Sequence, residues 1–352
     1  MRIQFTMALA FLLLVAGCPS ETVSPPPSPP VNWQSFDASA RGSSAPSGPT
    51  ESERAASELY IAALASPGFA ALGARLDEDA HFIFPGTDDA HGRDSIIRAH
   101  DKLLGAVDPR KVVAVRVWRT SNEQTVEWEL TGVQTRDWMG IKPSQKRVRV
   151  KGIALIWTKD DGSITDLHLY FDIAAVKAQL GVGPKELVAA TTRELDAVGD
   201  AGVPAAPEIT EQSSSPAEQT NVAAARAALD ALENNNLAAY EDAMADDVEV
   251  HTLERSQPAR GKSGASAYFT AMHKAIGQLD TTVTDAWGLG SFVVLEYTIA
   301  GVQLGPIGWF PSQRERAILL HIVDIVDIVG GKVARIWRYD NPGELVVASP
   351  PG

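Results

Sequence analysis

The chain has 352 residues, 31 Lys+Arg against 44 Asp+Glu, and a single Cys. The net charge of −13, with no basic run longer than two residues, excludes a polyanion-binding surface and so nucleic acid. One Cys excludes an intrachain disulfide framework and any multi-Cys metal centre, and an apolar fraction of 45% excludes wholesale disorder. The length predicts about two domains.

The N-terminus reads as an export signal. Met1 and Arg2 form a short positive region, and Ala8 to Val15 form an apolar stretch too short to span a bilayer. It ends in Val15-Ala16-Gly17-Cys18, which resembles the lipobox of bacterial lipoproteins. The resemblance implies cleavage of residues 1–17 and lipidation of Cys18. Two or three acyl chains give a stable anchor where one is marginal. Pro19 follows the Cys in place of the Asp of inner-membrane retention signals, so the expected location is the cell envelope, at the outer membrane, facing the periplasm or the cell surface. The alternative is an ordinary signal peptide with an incidental Cys. Residues 18–50 are rich in Pro and Ser, have no apolar period and read as a tether.

From about residue 52 the chain reads twice. Gly132-Val133-Gln134 recurs as Gly301-Val302-Gln303, and Pro143-Ser144-Gln145 as Pro311-Ser312-Gln313. Trp118 matches Trp287, Glu127 matches Glu296, and Asp172 is matched to Asp340. So long a period means duplicated domains, here 51–184 and 219–346, joined by a linker over 185–218.

In chain order the first copy predicts helices over Ser52–Ala65, Gly68–Leu76 and Gly92–Leu104. Strands follow over Lys111–Val117, Thr125–Gln134, Arg147–Trp157 and Ile164–Phe171. The second copy predicts helices over Asn221–Glu233, Leu237–Ala245 and Lys262–Ile276. Its strands are Thr282–Trp287, Phe292–Gln303, Arg314–Ile328 and Val333–Tyr339. Asp161-Gly162 and Gly330-Gly331 between apolar runs are hairpin signals. Helices first and antiparallel strands after them predict an α+β domain with helices on one face of a curved sheet.

Several stretches then resemble one family. Gly132, Gly140-Ile141 and Pro143-Ser144 before a strand, Phe84-Pro85-Gly86 before a Gly92-led helix, and Tyr170-Phe171-Asp172 with Gln179-Leu180-Gly181 are similar to SnoaL-like polyketide cyclases of the NTF2-like superfamily. The resemblance implies two tandem cone-shaped domains whose helices close over a concave sheet. It also implies a pocket in each cone and pairing of domains through the sheet, here as an intramolecular pseudo-dimer. The fold hosts cyclases, isomerases, hydrolases and silent binding modules, so it does not supply the function.

The family's acid/base pair lies on the last strand, and those positions carry Leu167 and Leu169. Alternation puts them with Phe171 on the inner face, opposite Asp166, His168 and Tyr170. The family's loop histidine is replaced by Gln134, and the Asp of the preceding strand by Ala154. Trp128, Gln134, Trp138, Leu167, Leu169, Trp309 and Trp337 are the expected pocket residues, with core or interface packing as the alternative for the tryptophans. In the second copy the same count puts Arg335, Trp337 and Tyr339 on the inner face, and Asp324 at the position of Ile156. Asp324 is then either a general base set against Arg335, with Tyr339 beside it, or half of a structural ion pair. Glu127 and Glu296 read as outward, solvated carboxylates, with catalytic carboxylates as the alternative. His81, His91 and His100 show no metal-ligand spacing, and neither a metal nor a cofactor is expected. Two functions remain open: non-catalytic binding of a small apolar molecule or an envelope protein partner, and a cyclase, isomerase or hydrolase working in the second pocket.

Overall fold

The structure, a computed structural model, describes residues 51–198, 206–253, 257–308, 310 and 315–347. The export signal, Cys18, the tether, Trp309 and Pro311-Ser312-Gln313 lie outside the described residues.

The first half runs α1 (Glu51–Ala65), a 3-10 turn at Pro67–Phe69, α2 (Ala70–Gly73), β1 (Leu76–Ile83), β2 (Ala90–His91) and α3 (Arg93–Leu104). Then come β3 (Val107–Arg119), β4 (Glu123–Gln134), β5 (Arg147–Thr158), β6 (Ile164–Phe171) and α4 (Ile173–Gln179). The second half repeats this as α6 (Pro216–Glu233), α7 (Leu237–Ala243), β8 (Met244–Thr252), β9 (Ala259–Arg260) and α8 (Gly261–Ala275). It closes with β10 (Ile276–Leu289), β11 (Phe292–Gln303), β12 (Arg316–Val329), β13 (Lys332–Asp340) and α9 (Glu344–Val347). Between the halves stand α5 (Lys185–Val198) and β7 (Glu208–Glu211).

Local chemistry sets these boundaries. The Ser215 side chain accepts from the Glu218 N–H, and the Glu218 carboxylate accepts from the Ser215 N–H, so a capping box with Pro216 just inside starts α6. Asp172 accepts from the N–H groups of Ala174 and Ala175 and starts α4. Gly330 and Gly331, both with positive φ, make the tight turn between β12 and β13.

The sheets run β2-β1-β6-β5-β4-β3-β7 and β10-β11-β12-β13-β8-β9. Two strands depart from the expectation. Residues 76–83 form β1, parallel to β6, where the pattern predicts no strand and ends a helix at Leu76, and β8 pairs the same way with β13. Both carry acidic residues toward solvent, so few apolar positions mark a buried face: Leu76, Ala80 and Phe82, with Ile83 beside them, in β1, and Met244, Val248 and Val250 in β8. The linker is also more structured than its polar composition suggests. It supplies α5, and it supplies β7, which pairs in parallel with the edge strand β3.

Each half has its own apolar core between helices and sheet. A third apolar layer lies between the two sheets, on the faces turned away from the helices. Trp118, Ile153, Leu155, Trp157 and Tyr170 meet Trp287, Leu289, Val294, Val323, Ile325 and Tyr339 there. The central strands are therefore covered on both sides. That is why Ile153–Trp157 and Ile322–Val326 read as apolar runs without clean alternation.

Candidate functional site

The inner face of the first cone is packed shut. Trp128, Ala154, Leu167, Leu169 and Phe171 have zero exposure and all lie within the first core. Alternation placed Leu167 and Leu169 on this face, and both are there, within the apolar core. Phe171 packs against Phe84 and Trp128. The expectation of Leu167 and Leu169 as pocket lining is corrected to core packing, because aromatic and branched side chains fill the cone; Trp128 packs in the same core and also borders a cleft beside it.

The polar groups of this cone are spent on structure. His100 on α3 is fully buried beneath Phe82 and Phe69, and its Nδ1 donates to the Ile96 carbonyl at 2.9 Å. Burial pushes its pKa down to about 4, so the ring stays neutral. Gln134 is 1% exposed. Its Nε2 donates to the carbonyls of Arg136, Ile141 and Lys142, and its Oε1 accepts from Ser144, so it staples the loop before β5. Trp138 is 2% exposed, donates Nε1–H to the Leu103 carbonyl at 2.6 Å and belongs to the first core, neither a lid nor an interdomain contact.

The second cone holds the one buried ion pair on an inner face among the described residues. Asp324 pairs with Arg338, not Arg335. Nε of Arg338 donates to Oδ1 at 2.9 Å and Nη2 to Oδ2 at 2.6 Å. Tyr297 donates to Oδ2 at 2.7 Å, and Arg338 also donates to the hydroxyls of Tyr268 and Tyr297. Burial opposes the guanidinium charge, but Asp324 and the two tyrosines outweigh it and hold Arg338 well above the usual value.

The shift of partner has a geometric cause. Ile328 pairs with Val333 but Asp327 pairs with Arg335, so a one-residue bulge at Ala334 moves the register. Below the bulge Asp324 faces Arg338 and Ile325 faces Trp337. Arg335, Trp337 and Tyr339 consequently lie on the outer face, which corrects their placement in the second pocket. Arg335 is half exposed and pairs with Asp327 at 3.0 Å. Trp337 stacks on His251 and carries Arg116 4.0 Å above its ring. Asp324 also lies opposite Leu295 as Ala154 lies opposite Val126, so its counterpart is Ala154 rather than Ile156. By the same pairing Arg338 corresponds to Leu169, and Ile336 to Leu167.

Tyr339 belongs to a reciprocal clasp between the sheets. It donates to Glu127 Oε1 at 2.6 Å, while Tyr170 of the first sheet donates to Glu296 Oε1 at 2.7 Å. Each carboxylate has a second partner: Arg116 for Glu127 and His168 for Glu296, both at 2.6 Å. Burial works against the Glu296 charge, yet His168 and Tyr170 hold its pKa below the usual carboxylate range. Glu296 is 5% exposed, so its reading as a solvated group is corrected, while Glu127 stays partly exposed beside the cleft. Asn341, not Asp340, is the counterpart of Asp172. It follows the clasp tyrosine by two residues as Asp172 does, accepts from the Gly343 and Ile173 N–H groups and donates to the Pro85 carbonyl.

A cleft of about 650 Å³ opens beside the clasp. Its floor is the outer face of β4 and β5, with Glu127, Glu129, Arg149 and Lys151. One wall is α4 and α5, and the other is His251, Leu253 and Trp337. The linker composition gave no sign of it, because only the helix over 185–198 closes the wall.

Among the described residues no three His, Cys, Asp or Glu side chains converge as metal ligands.

Comparison with known families matches residues 222–345 to the SnoaL-like polyketide cyclases and residues 58–167 to the SnoaL-like domains. A search of curated proteins finds no match. Similar solved structures each correspond to one half. A candidate SnoaL-like polyketide cyclase from Jannaschia sp. CCS1 is 19% identical, covering 40% of this chain and 99% of its own, with a TM-score of 0.36. An epoxide hydrolase of the LEH-like type from M. tuberculosis is 18% identical over 37% of this chain and 90% of its own, TM-score 0.31. A Catenulispora acidiphila protein with a ketosteroid isomerase-like fold is 15% identical over 36% and 97%, TM-score 0.31. With both matches in sequence order, each on a helix-covered curved sheet, the chain carries a tandem pair of SnoaL-like domains with the NTF2-like fold.

Proposed function

We propose that this chain is an exported, lipid-anchored binding protein of the bacterial cell envelope and that its two domains do no acid/base chemistry. The observation that carries the reading is the occupancy of the inner-face positions. Leu167 and Leu169 fill the first cone, and their counterparts Ile336 and Arg338 stand in the second. Proton transfer at a carbon beside a carbonyl needs a titratable group within hydrogen-bond reach of substrate. Among the described residues the second cone's inner face carries two carboxylates, Asp340 at the position of Phe171 and, at the position of Ala154, Asp324. Both oxygens of Asp324 are taken, by a two-pronged guanidinium and by a tyrosine, and it is 4% exposed.

The anchor rests on the lipobox-like Val15-Ala16-Gly17-Cys18 and the Pro/Ser tether. Duplication then supplies in one chain the sheet-to-sheet pairing expected of the fold, an intramolecular pseudo-dimer held by the apolar layer and the two Tyr–Glu clasps. The partner is a small molecule or an envelope protein.

Two experiments test this. Labelled palmitate is incorporated by the wild-type chain and not by Cys18→Ser. Solvent-deuterium exchange into a panel of ketones and β-keto esters proceeds no faster with the full chain than in buffer. Exchange that is accelerated by the chain and lost in Asp324→Asn contradicts the non-catalytic reading.

A further inference from the structure

We propose that one end of the first domain is a membrane-docking face for anionic phospholipid headgroups, built from basic side chains of β3, β5 and the loop before β5. The inference rests on the reading of the chain as a lipid-anchored envelope protein and gives the anchored domain an orientation.

Charge is spread unevenly along the chain. Residues 102–151 carry 11 Lys or Arg against 5 Asp or Glu, although the whole chain has a net charge of −13. The matching stretch of the second copy, residues 271–321, carries 3 against 4. Strand pairing locates the difference. Lys111 on β3 pairs with Thr131 on β4, Thr131 pairs with Arg149 on β5, and Val133 pairs with Arg147. The equivalent pairings in the second copy put Asp280 in the place of Lys111, Ala317 in that of Arg147 and Leu319 in that of Arg149. The cone folds without these charges, since its twin does. No basic run announces the face, because two strands and a loop contribute to it. On that ground the sequence reads as lacking a polyanion-binding surface, and the folded sheet supplies one.

Lys102, Lys111, Lys142, Lys146, Arg147 and Lys151 are all exposed. Gln134 donates its N–H to the Lys146 carbonyl and its Nε2 to the Lys142 carbonyl, which holds this loop at the end of β4. The acids beside these residues are Asp101, Asp108, Glu129 and Asp137. Glu129 is buried against Arg149, Asp101 pairs with Arg136, and Asp137 pairs with Lys142. The excess at this end is therefore cationic. Exposed acids gather at the other end, Glu78, Asp79, Asp88 and Asp89 around β1 and Asp160 and Asp161 in the turn after β5. The 12 residues of β5 separate the two ends by roughly 36 Å. A planar anionic surface orients such a dipole with its basic end down. The chain enters the first domain at the acidic end, where the Ser52 carbonyl lies 3.0 Å from the place of a Cβ on Gly162. Residues 18–50 reach roughly 100 Å if extended, enough to pass the length of the domain and return to the bilayer. An acyl anchor and a basic patch reinforce each other, and each basic side chain near an anionic surface multiplies affinity by about fivefold at low salt.

The test labels the lysines of the full chain with an acetylating ester, on vesicles of phosphatidylcholine alone and on vesicles with roughly a third phosphatidylglycerol. Labelling of Lys111 and Lys142 is expected to fall by about fivefold or more on the anionic vesicles only, and to return at about 0.5 M salt. Lys262 and Lys332 of the second domain, part-exposed, keep their labelling. Lys111→Asp/Arg147→Ala, which installs the residues of the second copy, removes the shielding of Lys142, whereas Lys262→Asp/Lys332→Ala does not. If the first variant does not fold, Lys111→Gln/Arg147→Gln is expected to weaken the shielding. The proposal is overturned if labelling falls equally on both vesicles, or if Lys262 and Lys332 are shielded as much as Lys111 and Lys142. It is overturned equally if neither salt nor the variant has an effect, or if an oligonucleotide shields the face where anionic vesicles do not. Palmitate labelling reads the anchor separately: an unlipidated chain that is still shielded on anionic vesicles loses the anchor and keeps the face.

Discussion

Replacing Arg338 by Leu, the residue its counterpart Leu169 already is, removes the only cationic partner of a carboxylate that is 4% exposed. Asp324 is then left with the Tyr297 hydroxyl alone, and Tyr268 loses its donor. Breaking a buried pair by removing one member costs about 3–5 kcal/mol, because the remaining charge has neither water nor a counter-ion. At roughly 2–4 °C per kcal/mol for a chain of this size, Arg338→Leu should lower the melting temperature by about 6–20 °C. The double variant Asp324→Ala/Arg338→Leu rebuilds the first cone's chemistry at Ala154 and Leu169. It removes the stranded charge and should recover about half of the loss, the rest being the unpaired tyrosine hydroxyls and the cavity left by the smaller side chains. Calorimetry on the full chain at pH 7 reads both variants. A single variant costing less than about 1 kcal/mol, or a double variant no better than the single, would show that Asp324 and Arg338 are not a buried pair and would refute the reasoning.

Other outcomes follow from the same geometry. Ile325 faces neither helical layer, so with the sheets apart Ile325→Ala would be a surface change within about 0.5 kcal/mol, whereas in the packed layer it costs about 2–5 kcal/mol by urea unfolding. His100 has a folded pKa depressed to about 4 against 6.5 for the free ring. Between those values the unfolded chain takes up a proton that the folded chain refuses, so stability is full above pH 6.5 and is lost as pH falls toward 4, by about 2 kcal/mol at pH 5. His100→Leu should flatten that slope, and an unchanged slope would refute the neutral buried ring. Glu296 acts in the same direction. Its pKa is held below the free value by His168 and Tyr170, so its contribution is present above the free carboxylate pKa and is lost as pH falls through the folded one. Glu296→Gln should cost about 1.5–3 kcal/mol at pH 7 and much less near pH 3.

Much of this architecture is legible in the sequence, and what is not has identifiable causes. The duplication shows in repeated triplets, and the inner face of the first copy follows from Leu167, Leu169 and Phe171 because no irregularity intervenes between them and Asp172. The second copy was harder to place because Asp340, next to the true counterpart Asn341, offered a false anchor. A slip of one residue exchanges the faces of a strand and sends Arg338 outward and Tyr339 inward. The bulge at Ala334 leaves no trace in residue type, so counting from the Gly330-Gly331 turn also misses Arg338. Strands β1 and β8 escape because acidic solvent faces mask their few apolar positions. The contact between the sheets did leave a signal, in Ile153–Trp157 and Ile322–Val326, whose lack of alternation records burial on both faces. The cleft left none, since it depends on where α5 folds back beside α4.

The most direct measurement is native mass spectrometry of the full chain drawn from its own host membranes, beside deuterium exchange into the ketone panel. The account predicts a discrete non-covalent mass on the wild-type chain, released on denaturation, and no acceleration of exchange. A chain that carries no such mass and accelerates exchange would contradict it.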